Sequence, residues 1–97
     1  MFNELIGQVA NKQAVLLDVR TDEEWQAGHA KGAEHFDLAR LKEGELPNID
    51  KTMPIYTYCQ AGGRAGQAKD ILVAAGFNAK SLGGLSDWKD MGGEIIG

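Results

Sequence analysis

Residues 54–65 read PIYTYCQAGGRA, an apolar stretch that runs into a cysteine and then into small residues. Residues 54–58 are mostly β-branched and aromatic after an initial proline, which is typical of a buried strand that lacks one amide at its start. Residues 62–75 carry apolar side chains at helical spacing, and Gly76 suits the left-handed end of a helix. The stretch therefore predicts a strand, a tight loop and a helix, with Cys59 at the carboxyl end of the strand.

The rest of the chain alternates predicted strands and helices. Further strands are expected at residues 14–19, 33–36 and 79–82. Further helices are expected at residues 3–10, at 21–27 behind a Thr21–Glu24 capping box, at 37–41 and at 83–91. Strands that alternate with helices indicate a parallel sheet with helices on both faces. The prediction is an α/β fold with a small parallel sheet of four to five strands, formed by residues 1–97 as a single domain.

Composition excludes several classes of function. The 97 residues carry a net charge of −4 and no basic cluster, which argues against binding to nucleic acid or to an acidic membrane. The longest apolar run, residues 71–75, is far too short to span a membrane. The first residues lack the features of a signal peptide, so we expect a cytoplasmic location, or a periplasmic one if a leader was removed.

Cys59 is the single cysteine of the chain. It excludes an internal disulfide, a CxxC redox pair and a multi-cysteine zinc site, and with two histidines we expect no metal. A lone cysteine in a strand is more often a small buried apolar residue than a catalytic one. Its position between an apolar strand and a glycine-rich helix start favours a nucleophile, because parallel α/β sheets bind ligands beyond the carboxyl ends of their strands.

The loop after Cys59 has the composition of an anion-binding site. Small residues let the backbone curl so that amides point inward, and the first turn of a helix adds unpaired amides and a positive dipole end. A thiol in such surroundings ionises readily. Arg64 adds a cation that can bind an anionic substrate or leaving group. We therefore expect Cys59 to be the catalytic residue and the following loop residues to bind substrate: Gln60, Ala61, Gly62, Gly63, Arg64 and Ala65.

Other polar residues are expected to have structural roles. Asp18 and Arg20 close the first strong strand and are expected to pair with polar groups or to brace the loop. His29 is expected to hold the turn between Gly28 and Gly32 by a hydrogen bond. Two tryptophans, Trp25 and Trp88, are expected to anchor the core.

Four ordered motifs resemble the rhodanese family: residues 18–20, residues 24–33, the Cys59 loop, and residues 82–84 with Trp88. Residues 59–69 are most similar to the small bacterial thiosulfate sulfurtransferases of the phage-shock type. The resemblance implies that Cys59 takes the outer sulfur of thiosulfate, releases sulfite and passes the sulfur from a persulfide to cyanide or a thiol. It implies a small anionic donor and no cofactor. A sulfur-relay protein is a further candidate partner, and a monomer is the default.

The chain departs from the family pattern at two places. Ala61 and Ala65 stand where family loops often carry hydroxyl residues, so more of the stabilisation of a persulfide falls on backbone amides and Arg64. The first edge strand of the family is also expected to be missing, or reduced to Met1 and Phe2.

Two alternatives remain open at this stage. The first is a cysteine phosphatase or arsenate reductase, because dual-specificity phosphatases of the cell-cycle type share this fold. Their loops place five residues between cysteine and arginine, whereas only four separate Cys59 from Arg64. The shorter loop suits a sulfur atom better than a phosphate. A non-catalytic rhodanese-like binding or regulatory module is the other alternative, although such modules commonly lack the cysteine.

Overall fold

A computed structural model describes residues 2–97, with side chains from residue 4 onward. Its strands are β1 (Val15–Asp18), β2 (His29–Ala30), β3 (Glu34–His35), β4 (Ile55–Cys59), β5 (Ala79–Gly84) and β6 (Ile95–Ile96). Its helices are α1 (Phe2–Ala10), α2 (Asp22–Ala27), α3 (Leu38–Lys42), α4 (Gly63–Ala74) and α5 (Leu85–Asp90). None of the helices in this part of the chain is long and apolar enough to cross a membrane.

Four of the strands form one parallel sheet in the order β3–β1–β4–β5. The two apolar strands, β1 and β4, lie side by side in its middle, as expected for strands that are covered on both faces. The predicted α/β fold with four to five parallel strands is thus confirmed, with four. Strand β4 ends at Cys59, so the cysteine lies at the carboxyl edge between two neighbouring strands.

The core is divided by the sheet, because alternate side chains of a strand point to opposite faces. Leu17 and Cys59 belong to one apolar cluster with buried residues of α3 and α4, including Leu41 and Leu72. Leu16 and Tyr58, which directly precede Leu17 and Cys59 along their strands, belong to the other cluster, where α1 and α5 pack. Its buried residues are Val9, Leu16, Ala30, Tyr58 and Trp88. Helices therefore cover both faces of the sheet.

Helix ends agree closely with the local signals in the sequence. The Thr21 hydroxyl accepts a hydrogen bond from the Glu24 amide, and the Glu24 carboxylate accepts one from the Thr21 amide, which completes the predicted capping box of α2. Asp37 caps α3 through a hydrogen bond from the Ala39 amide. Gly76 follows α4 with a φ of 97°, a conformation that favours glycine.

Two features differ from the sequence-based expectation, and a third agrees with one of two stated alternatives. A two-stranded antiparallel ribbon, β2 with β6, was not predicted, because two residues per strand are too few to show alternation. Strand β5 extends to Gly84, beyond the predicted end at Leu82, because Gly84 pairs with Cys59. At the amino end, α1 begins at Phe2, so Phe2 does not belong to an edge strand, in line with the alternative that this strand is missing; Met1 lies outside the described residues.

Candidate active site

The thiol of Cys59 is buried at the carboxyl edge of the sheet, with the residue only 1% exposed. Two backbone amides lie within hydrogen-bonding distance of its sulfur: that of Gly62 at 2.9 Å and that of Ala65 at 3.3 Å. Both amides donate to Sγ and so stabilise negative charge there. The predicted nest of inward-pointing amides thus has two members that reach the sulfur directly.

The sulfur also occupies the place of a helix cap. Gly62 is the N-cap residue of α4 and has no side chain that can accept from the first-turn amides. The amide of Ala65, in that first turn, donates to Cys59 Sγ instead. Gly62 adopts a φ of 106°, which only glycine reaches without strain and which brings its own amide onto the sulfur. Local backbone geometry therefore places the start of α4 directly against the sulfur of Cys59.

The loop packs closely on the end of β5. Ala61 forms an isolated antiparallel bridge with Gly84, and a Cβ atom added at Gly84 would lie 2.6 Å from the carbonyl oxygen of Gln60. The Gly84 amide donates to the Asp87 carboxylate at 2.7 Å, which fixes this contact at the start of α5. Gly84 is thus a close-approach position that supports the loop from the side of the neighbouring strand.

Asp18 and Arg20 form a buried ion pair beside the loop. The Nε and Nη2 atoms of Arg20 donate to the Asp18 carboxylate at distances between 2.7 and 3.0 Å. A second terminal nitrogen, Nη1, donates to the side-chain oxygen of Gln60 at 3.2 Å, and Nη2 also donates to the Gly28 carbonyl at 2.7 Å. Burial lowers the pKa of Arg20, but the hydrogen bonds and charge of Asp18 outweigh it and the net shift is upward.

Tyr58 joins the same network from the residue before Cys59. Its hydroxyl donates to Asp18 Oδ2 and accepts from the Ala30 amide at 3.0 Å. Burial, and then the hydrogen bond to Asp18, raise the pKa of Tyr58, so the hydroxyl stays protonated and remains a donor. Side chains on both sides of Cys59, those of Tyr58 and Gln60, are therefore held by the Asp18–Arg20 pair.

Arg64 forms a two-pronged ion pair with Glu24. Its Nη1 and Nη2 atoms lie 2.6 and 2.9 Å from the two carboxylate oxygens. The hydrogen bond to Arg64 is the main reason that the pKa of Glu24 falls to about 2, and the same bond raises the pKa of Arg64. The side chains are 34% and 31% exposed. Arg64 thus lies beside the loop as predicted, but its guanidinium already has a carboxylate partner.

An aromatic cluster forms around Trp25 of α2. The rings of Trp25 and His29 stack with centroids 3.5 Å apart, and His35 stacks on Trp25 at 5.0 Å. His29 does not hold the turn between Gly28 and Gly32 as expected, because its Nδ1 donates to the Trp25 carbonyl at 2.8 Å. Trp88 is buried, whereas Trp25 is only partly buried. Trp88 therefore anchors the core and Trp25 forms part of this cluster.

The structure brings the sequence-predicted residues together around Cys59, and it adds three that sequence reasoning did not place there. Glu24 contacts Arg64, Tyr58 contacts Asp18, and Gly84 contacts the backbone of Gln60. Glu24 and Gly84 lie in motifs that resemble the rhodanese family, so this resemblance could have pointed to both residues. Tyr58 carried no signal beyond its place in an apolar strand.

The fold and the site define a class: a parallel α/β domain with a buried cysteine at the carboxyl end of a central strand, its sulfur facing loop amides. Residues 1–91 match the rhodanese-like domain family. The thiosulfate sulfurtransferase PspE of Escherichia coli is 38% identical over 73 residues, which are 73% of this chain and 70% of PspE. The thiosulfate sulfurtransferase GlpE of Coxiella burnetii is 30% identical over 83 residues, 84% of this chain and 77% of GlpE.

Solved structures agree with these relatives. A protein from Anabaena superposes with a TM-score of 0.84 at 29% identity, covering 99% of this chain and 78% of its own. An Escherichia coli structure described as a rhodanese with anions superposes with a TM-score of 0.69 at 32% identity, covering 86% of this chain and 96% of its own. The chain belongs to the rhodanese family. Its named relatives make sulfurtransferase the class of enzyme to which it belongs.

Proposed function

We propose that the protein transfers a sulfane sulfur from thiosulfate to cyanide or a thiol through a persulfide on Cys59. The observation that carries the proposal is the arrangement of the Gly62 and Ala65 amides, which both donate to Cys59 Sγ. Amides in fixed positions stabilise an anionic sulfur without any rearrangement during the reaction. The names of PspE and GlpE support thiosulfate as the donor.

In the first half-reaction, the Cys59 thiolate attacks the outer sulfur of thiosulfate. A sulfur–sulfur bond forms to Cys59 while the bond to the sulfonate sulfur breaks, and its electron pair leaves with sulfite. Because sulfite is a stable anion, this step needs no strong general acid. The donors that contact the thiol are both backbone amides, consistent with a reaction that stabilises charge and does not transfer a proton to the leaving group.

In the second half-reaction, cyanide or a thiolate attacks the outer sulfur of the persulfide. The bond between the two sulfurs breaks, and its electron pair returns to Cys59 as the thiolate. The amides of Gly62 and Ala65 face the same sulfur position in both halves, so they stabilise the thiolate before and after each turnover.

The length of the Cys59 loop favours sulfur transfer over phosphate chemistry. A loop that wraps a tetrahedral phosphate uses its arginine as a two-pronged ligand for the oxyanion. Here only four residues separate Cys59 from Arg64, and the amides of Gly62 and Ala65 donate directly to Sγ. The phosphatase alternative therefore has less support from the site than from the fold.

Thiocyanate formation from thiosulfate and cyanide tests the proposal. The wild-type protein is expected to form thiocyanate and sulfite in equal amounts, and Cys59→Ser is expected to form neither while unfolding like the wild type. An aryl phosphate in the same assay tests the phosphatase alternative. Phosphate release with no thiocyanate would refute the proposal, and no reaction with either substrate would favour the binding module.

A further inference from the structure

Glu24 and Arg64 form the ion pair at the edge of the Cys59 loop, on helices α2 and α4. Both carboxylate oxygens face the two terminal nitrogens of the guanidinium, the geometry in which charge-assisted hydrogen bonds are strongest. The same carboxylate oxygen, Oε1, also accepts from the Thr21 amide and hydroxyl at the cap of α2. Glu24 is therefore held in place by α2 as well as by Arg64.

Cations around the loop are paired with carboxylates. Arg64 is bound to Glu24, and Lys69, further along α4, lies 2.7 Å from Asp70. Arg20 is buried against Asp18. The whole chain carries a net charge of −4. An approaching anion therefore meets the amides of the loop but no unpaired cation among these three residues.

Arg64 is the one of the three cations that lies at the end of the Cys59 loop and is only partly buried, because Arg20 is buried and Lys69 lies further along α4. Its side chain is 34% exposed, and in sequence it lies between Gly62 and Ala65, whose amides donate to Cys59 Sγ. Glu24 would not be left unsatisfied if Arg64 moved toward the thiol, because the Thr21 cap still donates to it. A donor with two negative charges gains most from a freed guanidinium, and it must compete with Glu24 to obtain it.

We propose that Glu24 sets the donor selectivity of the enzyme by competing with doubly charged donors for Arg64. Glu24 is a positioning residue that acts through Arg64 and does not touch the reacting sulfur. Its presence weakens the binding of a dianion such as thiosulfate more than that of a singly charged donor. The inference rests on the proposed sulfur transfer and adds to it the charge of the preferred donor.

The test compares two donors of similar shape, the thiosulfate dianion and the methanethiosulfonate monoanion, which leaves as methanesulfinate after giving its outer sulfur to Cys59. Glu24→Gln keeps a side chain that can complete the capping box but removes the competing charge. Its KM for thiosulfate is expected to fall about two- to fivefold, the range for a partly exposed ion pair. Its KM for methanethiosulfonate is expected to fall less, and kcat to stay within about twofold for both donors.

Glu23→Gln is the matched control, since it makes the same charge change at an exposed neighbouring position of α2. Its KM values are expected to equal those of the wild type. Added salt is expected to raise the thiosulfate KM of Glu24→Gln more steeply than that of Glu23→Gln, because Arg64 is then unpaired. A thiosulfate KM in Glu24→Gln that equals or exceeds that of Glu23→Gln would overturn the inference.

Direct binding separates this inference from the proposed reaction. In a Cys59→Ser background, which cannot turn over, Glu24→Gln is expected to bind thiosulfate about two- to fivefold more tightly in calorimetry. Unchanged or weaker binding in the double variant contradicts the role of Glu24, whether or not sulfur is transferred. If binding tightens but wild-type protein forms no persulfide, the selectivity role holds and the proposed reaction fails.

Discussion

Tyr58 donates a hydrogen bond from its hydroxyl to the carboxylate of Asp18, the residue that pairs with it across β1 and β4. Asp18 also accepts from Arg20, which in turn donates to Gln60. The two neighbours of Cys59 in sequence are thus tied to one buried ion pair. This network fixes the end of β4 and the start of the loop at the same time.

Replacement of Asp18 by asparagine is expected to destabilise the protein strongly. The Arg20 guanidinium would keep its buried position but lose the charge that compensates it, a change that costs about 3–5 kcal/mol in buried ion pairs. Urea denaturation measures the change in the free energy of unfolding. Asp90→Asn, at an exposed position, is the control and should change it by about 0.5 kcal/mol or less. Similar values for the two variants would show that Asp18 is not needed for stability.

Two glycine-to-alanine substitutions distinguish an effect on the position of the Cys59 loop from an effect on the stability of α4. Gly84→Ala places a Cβ atom 2.6 Å from the Gln60 carbonyl, so the loop must shift and sulfur transfer should fall about tenfold or more. Gly66→Ala lies in α4 with open space around the added Cβ atom, and it should stabilise the fold by about 0.5–1 kcal/mol with activity unchanged. Both are measured by thiocyanate formation and thermal unfolding. Full activity in Gly84→Ala would contradict the supporting role of this contact.

The Glu24–Arg64 pair is expected to make stability depend on pH in the acid range. The pKa of Glu24 is about 2 in the folded protein, below its ordinary value of 4.5, so the ionised form stabilises the folded state. This contribution is complete above pH 4.5 and is lost as the pH falls toward 2. Because the pair is partly exposed and screened by solvent, we expect about 1 kcal/mol or less.

Urea denaturation of wild type and Glu24→Gln at several pH values measures this contribution. The wild type should be the more stable of the two at pH 7, and the difference should shrink in acid. A difference that stays constant from neutral pH to pH 3 would mean that the ion pair does not contribute.

Much of the fold follows from local signals in the sequence. The apolar runs in β1 and β4 are long enough to identify both central strands, and the capping box at Thr21 and Glu24 fixes the start of α2. The position of Cys59 between β4 and α4 follows from the same reasoning. The β2–β6 ribbon does not, because its strands pair residues more than 60 positions apart with two residues each.

The side-chain contacts of the site were the hardest part to predict. Arg20 with Gln60, and Glu24 with Arg64, are each separated by 40 residues, and such contacts depend on the register of the sheet and the angle of each helix. The capping box alone accounts for a glutamate at position 24, so the sequence does not indicate that Glu24 also binds Arg64. Arg64 could be placed in the loop, but its orientation depends on that partner.

Intact mass after incubation with thiosulfate tests the persulfide on Cys59 most directly. The wild-type protein is expected to gain about 32 Da, the mass of one sulfur atom, and to lose it again on addition of a thiol or cyanide. Cys59→Ser and Cys59→Ala should show no gain while retaining the fold. A wild-type protein that releases sulfite but never gains this mass, or a Cys59 variant that turns over like the wild type, would contradict the account.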